Sequence, residues 1–340
     1  MSQTLVKRAL TMVVAALVAL LLTSLLIRLA GRSPAHIYAL MLAGTWGNRF
    51  GIGQVLFKST PLMLTGLSVA FARRAGLFNV GAEGQIIVGA FACALCGAYL
   101  PSATPAILAV PACLVAAAAG GAALGALAGW LRASRGVHEV ISTIMLNFVV
   151  RAAMVGLGAV FFLRESVHTK PILPAAALPR LARFVPALVG SAANLSLLLC
   201  VVAVVCMRWL IVRTRLGARI RAVGAQPMVA ASAGIAVGRI AIVSFLIAGA
   251  LAGLGGANFV LGYKGYYEDG FSGGVGFVGI AVAELGGMSA LGIIASALLF
   301  GTLSQGAFTV NAACPKEIID VMIALIIVAA AVSLRREARA

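Results

Sequence analysis

Charged residues are scarce in this sequence, and acidic residues are the scarcest of them. Only 10% of the 340 residues are Asp, Glu, Lys or Arg, and Asp and Glu together number 9. A soluble globular domain carries about 25% charged residues, so the composition excludes that class. Histidine is also rare, and His36, His138 and His168 show neither the spacing of metal ligands nor that of a catalytic triad.

Further absences narrow the function. The sequence contains no G-x-x-x-x-G-K-[ST] phosphate loop, so any ATP that drives this protein is bound by another chain. Cys93 and Cys96 have no His or second Cys pair nearby, which excludes a familiar metal site. The net charge of +17 is compatible with nucleic-acid binding, but the basic residues lie at the edges of apolar runs without interleaved aromatic residues. We therefore expect no nucleic-acid partner.

Long apolar runs dominate the sequence. Residues of hydrophobic type make up 62% of it, and about 20 apolar residues in a helix cross the hydrocarbon core of a bilayer. The runs predict an all-α, multi-pass membrane protein with about ten transmembrane helices in a single domain over residues 1–340. They cover 9–27, 59–72, two spans within 84–131 divided at 101–105, 137–163, a span centred between 193 and 207, 240–263, a short glycine-rich run at 270–283, 285–315 and 318–334.

Three of these segments need comment. Run 9–27 follows Lys7 and Arg8 as a signal peptide would, but its length favours a retained span. The proline-rich segment 164–190 predicts an external excursion with structure of its own. The short run 270–283 predicts a broken or re-entrant element.

The distribution of basic residues predicts the orientation. With the N-terminus inside and ten crossings, fifteen Lys and Arg residues lie at inner ends and ten at outer ends, with Lys58 among the outer ones. The positive-inside rule then places both termini in the cytoplasm. A second pattern is the similarity of "FNVGAEGQIIVGAF" in the first half to "FSGGVGFVGIAVAELGG" in the second. It predicts an internal repeat of spans 2–5 and 7–10.

Several polar residues lie where a membrane helix should be apolar, and a charge at a helix centre costs about 2.5–3.5 kcal/mol on insertion. Glu83 is surrounded by glycines, which favours either a cavity-lining carboxylate or a tight packing seam in which Glu83 pairs with an arginine such as Arg151. Both alternatives stay open. Because Glu139, Thr143, Asn147 and Arg151 recur every four residues, they form one polar stripe.

Arg151 cannot be neutralised by Glu139, because the two lie about 18 Å apart along the helix. It therefore requires a partner from another helix, either as a structural clamp or as part of a solute pathway. The residues that we expect to line or brace the pathway are Asn79, Glu83, Gln85, Asn147 and Arg151.

The segment 213–239 is predicted to be a cytoplasmic loop that contains a short amphipathic basic helix. Arg215, Arg219 and Arg221 alternate there with apolar residues, Gly224 is a candidate helix end, and Pro227 a candidate start of the next turn. Membrane anchoring explains the charges, and docking into a groove of a partner explains the apolar face as well.

Four motifs together resemble the permease subunits of ABC importers in the branched-chain amino acid, ribose and nucleoside group. They are "GLFNVGAEGQ", "HEVISTIMLNF", "LGARIRAVGAQPMVAASAGI" and "GGVGFVGIAVAELGG". The first is most similar to nucleoside or simple-sugar permeases that work with a basic-membrane-protein type binding lipoprotein. Two positions depart from the family pattern: His138 stands where a polar amide is usual, and Glu284 where an aliphatic residue is common.

The resemblance implies import of a small neutral solute across the bacterial cytoplasmic (inner) membrane by alternating access. It implies a second related permease, forming a heterodimer, an external binding lipoprotein, and ATPase subunits that hold ATP and Mg, with no cofactor in this chain. It also implies that the segment around Gly217, Arg221, Gly224 and Gly234 is the coupling helix, which contacts the ATPase and transmits its conformational change. The basic pattern adds Arg215 and Arg219 to this set. The main alternative is a proton-coupled secondary carrier that uses Glu83 or Glu284. A passive channel or a membrane scaffold is a third.

Overall fold

The computed structural model describes residues 18, 20–315, 317, 318, 320–325 and 328. Within these residues the chain is mostly helical and forms no β-strand. The helices are α1 (described part Leu20–Leu29), α2 (Pro34–Thr45), α3 (Arg49–Arg74), α4 (Ala82–Tyr99), α5 (Ala106–Arg135), α6 (Glu139–Phe161), α7 (Ser196–Arg213), α8 (Arg215–Ala225), α9 (Pro227–Ser232), α10 (Val237–Phe259), α11 (Val275–Leu285) and α12 (Ala290–Val310). A π-helical turn, Val260–Lys264, continues α10.

Seven helices in the described part of the chain are long and apolar enough to cross a membrane. They are α3, α4, α5, α6, α7, α10 with its π turn, and α12. The chain is therefore a multi-pass membrane protein, and the total of about ten spans stays a prediction. Much of the predicted runs 9–27 and 318–334 lies outside the described residues. The run 270–283 yields α11, whose 11 residues are too few to span a bilayer.

Two features of the helices differ from the runs read in the sequence. Run 59–72 extends back past Lys58, which lies inside α3, because that helix begins at Arg49 and continues through Pro61. Helix α2 was not predicted at all. It starts with Pro34 at its first position, which suits the beginning of a helix, and its 12 residues are too short to register as a spanning run.

Proline in α3 is accommodated by a neighbouring helix. Pro61 has no N–H, so the carbonyl of Phe57 lacks its usual partner within α3. The Asn258 Nδ2 atom of α10 donates to that carbonyl at 3.2 Å. The Asn258 side-chain oxygen in turn accepts from Asn194 Nδ2 at 3.1 Å and from Ser196 Oγ at 2.6 Å. A buried polar network therefore holds α3, α10 and the start of α7 together.

The first helix of each half packs mainly against the opposite half. Helix α3 lies against α11 and α12, α10 lies against α4 and α5, and α3 and α10 contact each other. The α5–α10 seam is built from glycines spaced four apart. A Cβ on Gly121 would lie 2.8 Å from the Cα of Gly253, and one on Gly125 would lie 3.0 Å from the carbonyl carbon of Phe245. Small residues at this spacing allow membrane helices to approach closely.

The segment between α6 and α7 forms three short 3₁₀ turns, Pro174–Ala176, Leu181–Arg183 and Pro186–Leu188. Isolated bridges tie it down, including His168 with Glu268 and Arg180 with Asn194. The predicted excursion at 164–190 therefore has ordered structure, and it covers the segment that leads from the π turn to α11.

Candidate transport site where helices α4 and α11 begin

Helices α4 and α11 begin next to each other in the interior of the bundle. Each is preceded by a glycine, Gly81 for α4 and Gly274 for α11. The approach is close enough that a Cβ on Gly276 would lie 2.6 Å from the carbonyl carbon of Ala82. Backbone N–H groups at the first turn of a helix have no partner within that helix, so the junction brings unpaired donors together inside the protein.

Glu83 accepts hydrogen bonds from α11 and from the segment before it. Its side chain is fully buried, with one oxygen accepting from Ser272 Oγ at 2.7 Å and the other from the backbone N–H of Gly276 at 2.8 Å. The side chain of Arg151 in α6 contributes a guanidinium nitrogen 3.6 Å from Glu83 Oε1. The carboxylate is therefore held by a hydroxyl, a backbone amide and a cation from two other elements.

Asn79 and Gln85 form a reciprocal amide pair beside Glu83. Asn79 Nδ2 donates to Gln85 Oε1 at 2.8 Å, and Gln85 Nε2 donates to Asn79 Oδ1 at 3.2 Å. Asn79 also accepts from the backbone of Gly81 and donates to Ser68 Oγ of α3. This pair fixes the loop that leads from α3 into α4.

Asn147 performs the same task from α6. Its Oδ1 accepts from the backbone of Gly84 at 2.8 Å, and its Nδ2 donates to the carbonyl of Val80 at 3.0 Å. Asn79, Glu83, Gln85 and Asn147 are all buried, whereas the side chain of Arg151 is 54% exposed. The structure thus brings the five expected residues into one cluster, in which the partners of the buried members are protein groups and only Arg151 presents free surface.

The remaining charged candidates lie elsewhere. Glu139 pairs with Arg132 of α5 at 3.5 Å, and the ring of His138 accepts from the backbone of Val140. Glu284 is half-buried in the last turn of α11, away from this cluster.

The segment predicted to couple to a partner forms α8 and α9. Helix α8 runs through Gly224 to Ala225, so Gly224 does not end it, and Pro227 begins α9 as expected. Gly217 and Gly224 pack inward: a Cβ on Gly217 would lie 2.7 Å from the carbonyl carbon of Ile211, and one on Gly224 would lie 2.9 Å from that of Arg74. Arg221 donates to the carbonyl of Ile211. The exposed members of the predicted set are Arg215, Arg219, Arg221 and Gly234.

Two features of the structure were not predicted. Met228 and Val229 at α9 are 79% and 64% exposed, although both are apolar. A cavity of about 300 Å³ lies between α3, α12, the end of α10 and the segment before α11. Lys58, which interrupts the apolar residues around it, was the sequence signal for this cavity.

Comparison with known proteins assigns the chain to a family. Residues 51–331 match the family described as branched-chain amino acid transport system / permease component. Since the match covers most of the chain, this protein belongs to that permease family. The resemblance inferred from the four motifs is confirmed.

Individual relatives have more specific names. The guanosine ABC transporter permease protein NupP of Bacillus subtilis (strain 168) is 36% identical, covering 89% of this chain and 87% of NupP. The nucleoside ABC transporter permease protein NupB of Lactococcus lactis is 34% identical, covering 94% and 90%. The glucose ABC transporter permease protein TsgB13 of Haloferax volcanii is 34% identical, covering 86% and 79%. No solved structure matches the chain.

Proposed function

We propose that this chain is the permease subunit of an ATP-binding-cassette importer that takes up nucleosides across the bacterial inner membrane. The observation that carries the proposal is the identity of 34–36% over nearly the whole chain to permeases named for guanosine and nucleosides. Simple sugars are the second candidate solute, favoured by the relative named for glucose. ATP and Mg bind to a partner ATPase in this proposal.

A reconstituted transporter tests the proposal. The chain is placed in liposomes with its companion permease, ATPase and binding protein, and accumulation of guanosine and glucose is measured. We expect guanosine to accumulate only when ATP is present, and we expect its accumulation to be unaffected by collapse of the proton gradient. Loss of accumulation when that gradient collapses would instead support the secondary carrier. The carrier that uses Glu83 or Glu284 is not favoured, because the relatives are named as ABC transporter permeases, and both oxygens of Glu83 already accept hydrogen bonds.

The contact of α8 with the loop between α3 and α4 supports a mechanism of alternating access. This loop leads to the cluster of Asn79, Glu83, Gln85, Asn147 and Arg151, which we call the transport cluster. Gly224 of α8 lies against Arg74 at the end of α3 and against Gly76, which begins the loop to Asn79. Because the backbones are in contact there, a displacement of α8 moves the loop that contains Asn79 and leads to Glu83 in the first turn of α4. We propose that ATP-driven motion of the partner reaches the cluster by this route and changes how α4 meets α11.

An inverted repeat fits the arrangement. In the order of the predicted repeat, the start of α4 at Gly81–Glu83 corresponds to the start of α11 at Gly274–Gly276. Glu83 and Gly276 are equivalent positions in this order, and they contact each other. Helices α3 and α10 likewise exchange equivalent partners. In the proposed topology, with cytoplasmic termini and ten spans, the two halves run in opposite directions and meet at the site.

A second permease is supported by the exposure of Arg151. Lipid is an unfavourable neighbour for a guanidinium near the middle of a spanning helix. The main contacts of α6 with other helices in the described part of the chain are with α4 and α5. We propose that the free side of Arg151 faces a solute pathway between this chain and a related permease, whereas its other side stabilises Glu83.

We propose that the external binding lipoprotein docks on the ordered segment between α6 and α7. This segment exposes Phe184, Val185 and Val189 next to several basic residues, Lys170, Arg180 and Arg183 among them. An exposed apolar patch with a charged rim is typical of a protein interface.

The ATPase contact gives a direct prediction. We propose that the exposed apolar residues of α9, Met228 and Val229, contact the ATPase. Val229→Asp is then expected to reduce the amount of ATPase that co-purifies with the chain at least tenfold, because a carboxylate would replace an apolar contact in that interface. Co-purification from membranes is the measurement. Val189→Asp is the matched control, since Val189 is similarly exposed (68% against 64%) but lies in the segment between α6 and α7. Equal recovery of ATPase with both variants would contradict the assignment of α9 to the interface.

A further inference from the structure

The cavity beside α3 has the size and lining of a ligand site. Its volume of about 300 Å³ is at the lower end of the range for small-molecule pockets, which fits one small solute. Four phenylalanines and three polar residues contribute to the lining. They are Phe57, Phe259, Phe271 and Phe300, with Lys58, Ser272 and Asp320.

The rings form a connected aromatic wall. Phe57 and Phe259 lie 5.7 Å apart between centroids, and Phe259 and Phe271 lie 4.9 Å apart, both in edge-on arrangements. Phe259 is the last residue of α10 before the π turn. Single π turns inside helices occur frequently at functional sites, and here the turn lies directly beside a ring that faces the cavity.

The polar groups lie in the same cavity as these rings. Lys58 Nζ donates to the carbonyl of Ser304 at 3.0 Å, which leaves further protons of the ammonium group for a ligand. Asp320 is exposed and supplies an acceptor. Ser272 donates its proton to Glu83, so its oxygen remains an acceptor toward the cavity. A ligand with one flat aromatic part and one hydrogen-bonding part matches this lining.

We propose that this cavity is a solute site that recognises the heteroaromatic base of a nucleoside. This deepens the proposed function and rests on it. A base has a π-face that stacks on aromatic side chains, whereas a free sugar presents hydroxyls in every direction and would leave several of them against phenylalanine. The base therefore lies against the rings, and the ribose hydroxyls face Lys58 and Asp320.

The position of the cavity suits a site that the solute meets before the transport cluster. Along α3, Phe57 is about 25 Å from Arg74, where α8 makes contact. The cavity is thus at the end of the bundle far from the proposed ATPase contact. Because Ser272 belongs to the cavity and also donates to Glu83, an occupied cavity is connected directly to the start of α4.

Equilibrium binding of radiolabelled guanosine to the assembled transporter, without binding protein or ATP, tests the site. We expect saturable binding that Phe271→Leu weakens about tenfold, as expected for loss of one stacking ring. Phe271→Tyr should restore it, since the ring returns. Phe50→Leu is the matched control, because Phe50 is an exposed ring on α3 outside the cavity. Free guanine should compete for binding, and ribose should not.

Each outcome decides the proposal. Absence of saturable binding, unchanged binding in Phe271→Leu, or competition by ribose but not by guanine would overturn it. The proposed function is tested separately by uptake in liposomes. ATP-dependent guanosine uptake with no effect of Phe271→Leu on binding would reject this cavity alone, whereas uptake of glucose without guanosine would reject the nucleoside as solute.

Discussion

Gly276→Ala is expected to abolish solute uptake and to lower the amount of folded chain in the membrane. A Cβ at this position would overlap the backbone of Ala82 and Glu83. Rotation of a side chain cannot relieve that contact, because the atoms it meets belong to the main chain of α4. Overpacking typically costs 1–3 kcal/mol, and the separation of α11 from α4 would also lengthen the hydrogen bond from the backbone N–H of residue 276 to Glu83. ATP-dependent uptake and the amount of chain that survives detergent extraction are the measurements.

The control for this change is Gly156→Ala in α6. Gly156 is also a helical glycine, but a Cβ there would meet open space, so the membrane level of the chain should match that of the unaltered protein. If Gly276→Ala transported solute normally, helices α4 and α11 would not meet at this residue in the working transporter, and the proposed junction would be wrong.

Glu83→Gln is expected to reduce uptake at least tenfold while the chain still inserts and assembles with its partners. The glutamine keeps one acceptor oxygen, but its NH₂ group replaces an oxygen that now accepts from Gly276 or Ser272. The hydrogen bonds of a charged group contribute about 1.5–3 kcal/mol each. Arg151 also loses its counter-charge, and an unpaired charge within the membrane is unfavourable.

A double variant separates the structural role of the pair from its role in transport. Glu83→Gln with Arg151→Gln removes both charges, and replacing both partners of an ion pair is often nearly neutral for stability. We expect the level of assembled complex to equal that of the unaltered protein and uptake to remain low, measured in the same liposomes. Normal uptake by Glu83→Gln alone would remove the carboxylate from the mechanism.

Part of the site was predictable from local spacing. Glu139 lies too far from Arg151 along one helix to neutralise it, so the sequence required a partner from elsewhere, and Glu83 is that partner. The glycines around Glu83 likewise indicated a non-helical approach to α4. These inferences succeeded because a charge in an apolar helix has few acceptable environments.

The aromatic cavity was not predictable by the same reasoning. Its four rings come from α3, from the end of α10, from the segment that precedes α11, and from α12. Most of these elements are separated by long stretches of chain. A single phenylalanine in a membrane helix carries no signal, because most such residues face lipid or fill a core. The exposure of Met228 and Val229 is a similar case, since which face of a short helix is covered depends on how α8 packs on α7 and α3.

The crossed packing of the two halves has a consequence for biosynthesis. Helix α3 is buried continuously from Ser59 to Ala72, yet α11 and α12 leave the ribosome on the order of ten seconds or more later. During that delay α3 lies in lipid with four hydroxyl-bearing residues, Ser59, Thr60, Thr65 and Ser68, in the segment that will become buried. The hydroxyls of Ser59, Thr60 and Thr65 donate to carbonyls of α3 itself, at 2.7, 2.8 and 2.9 Å. Three of the four hydroxyls are thereby paired within the new helix, whereas the carbonyl of Phe57 stays unpaired until Asn258 of α10 arrives.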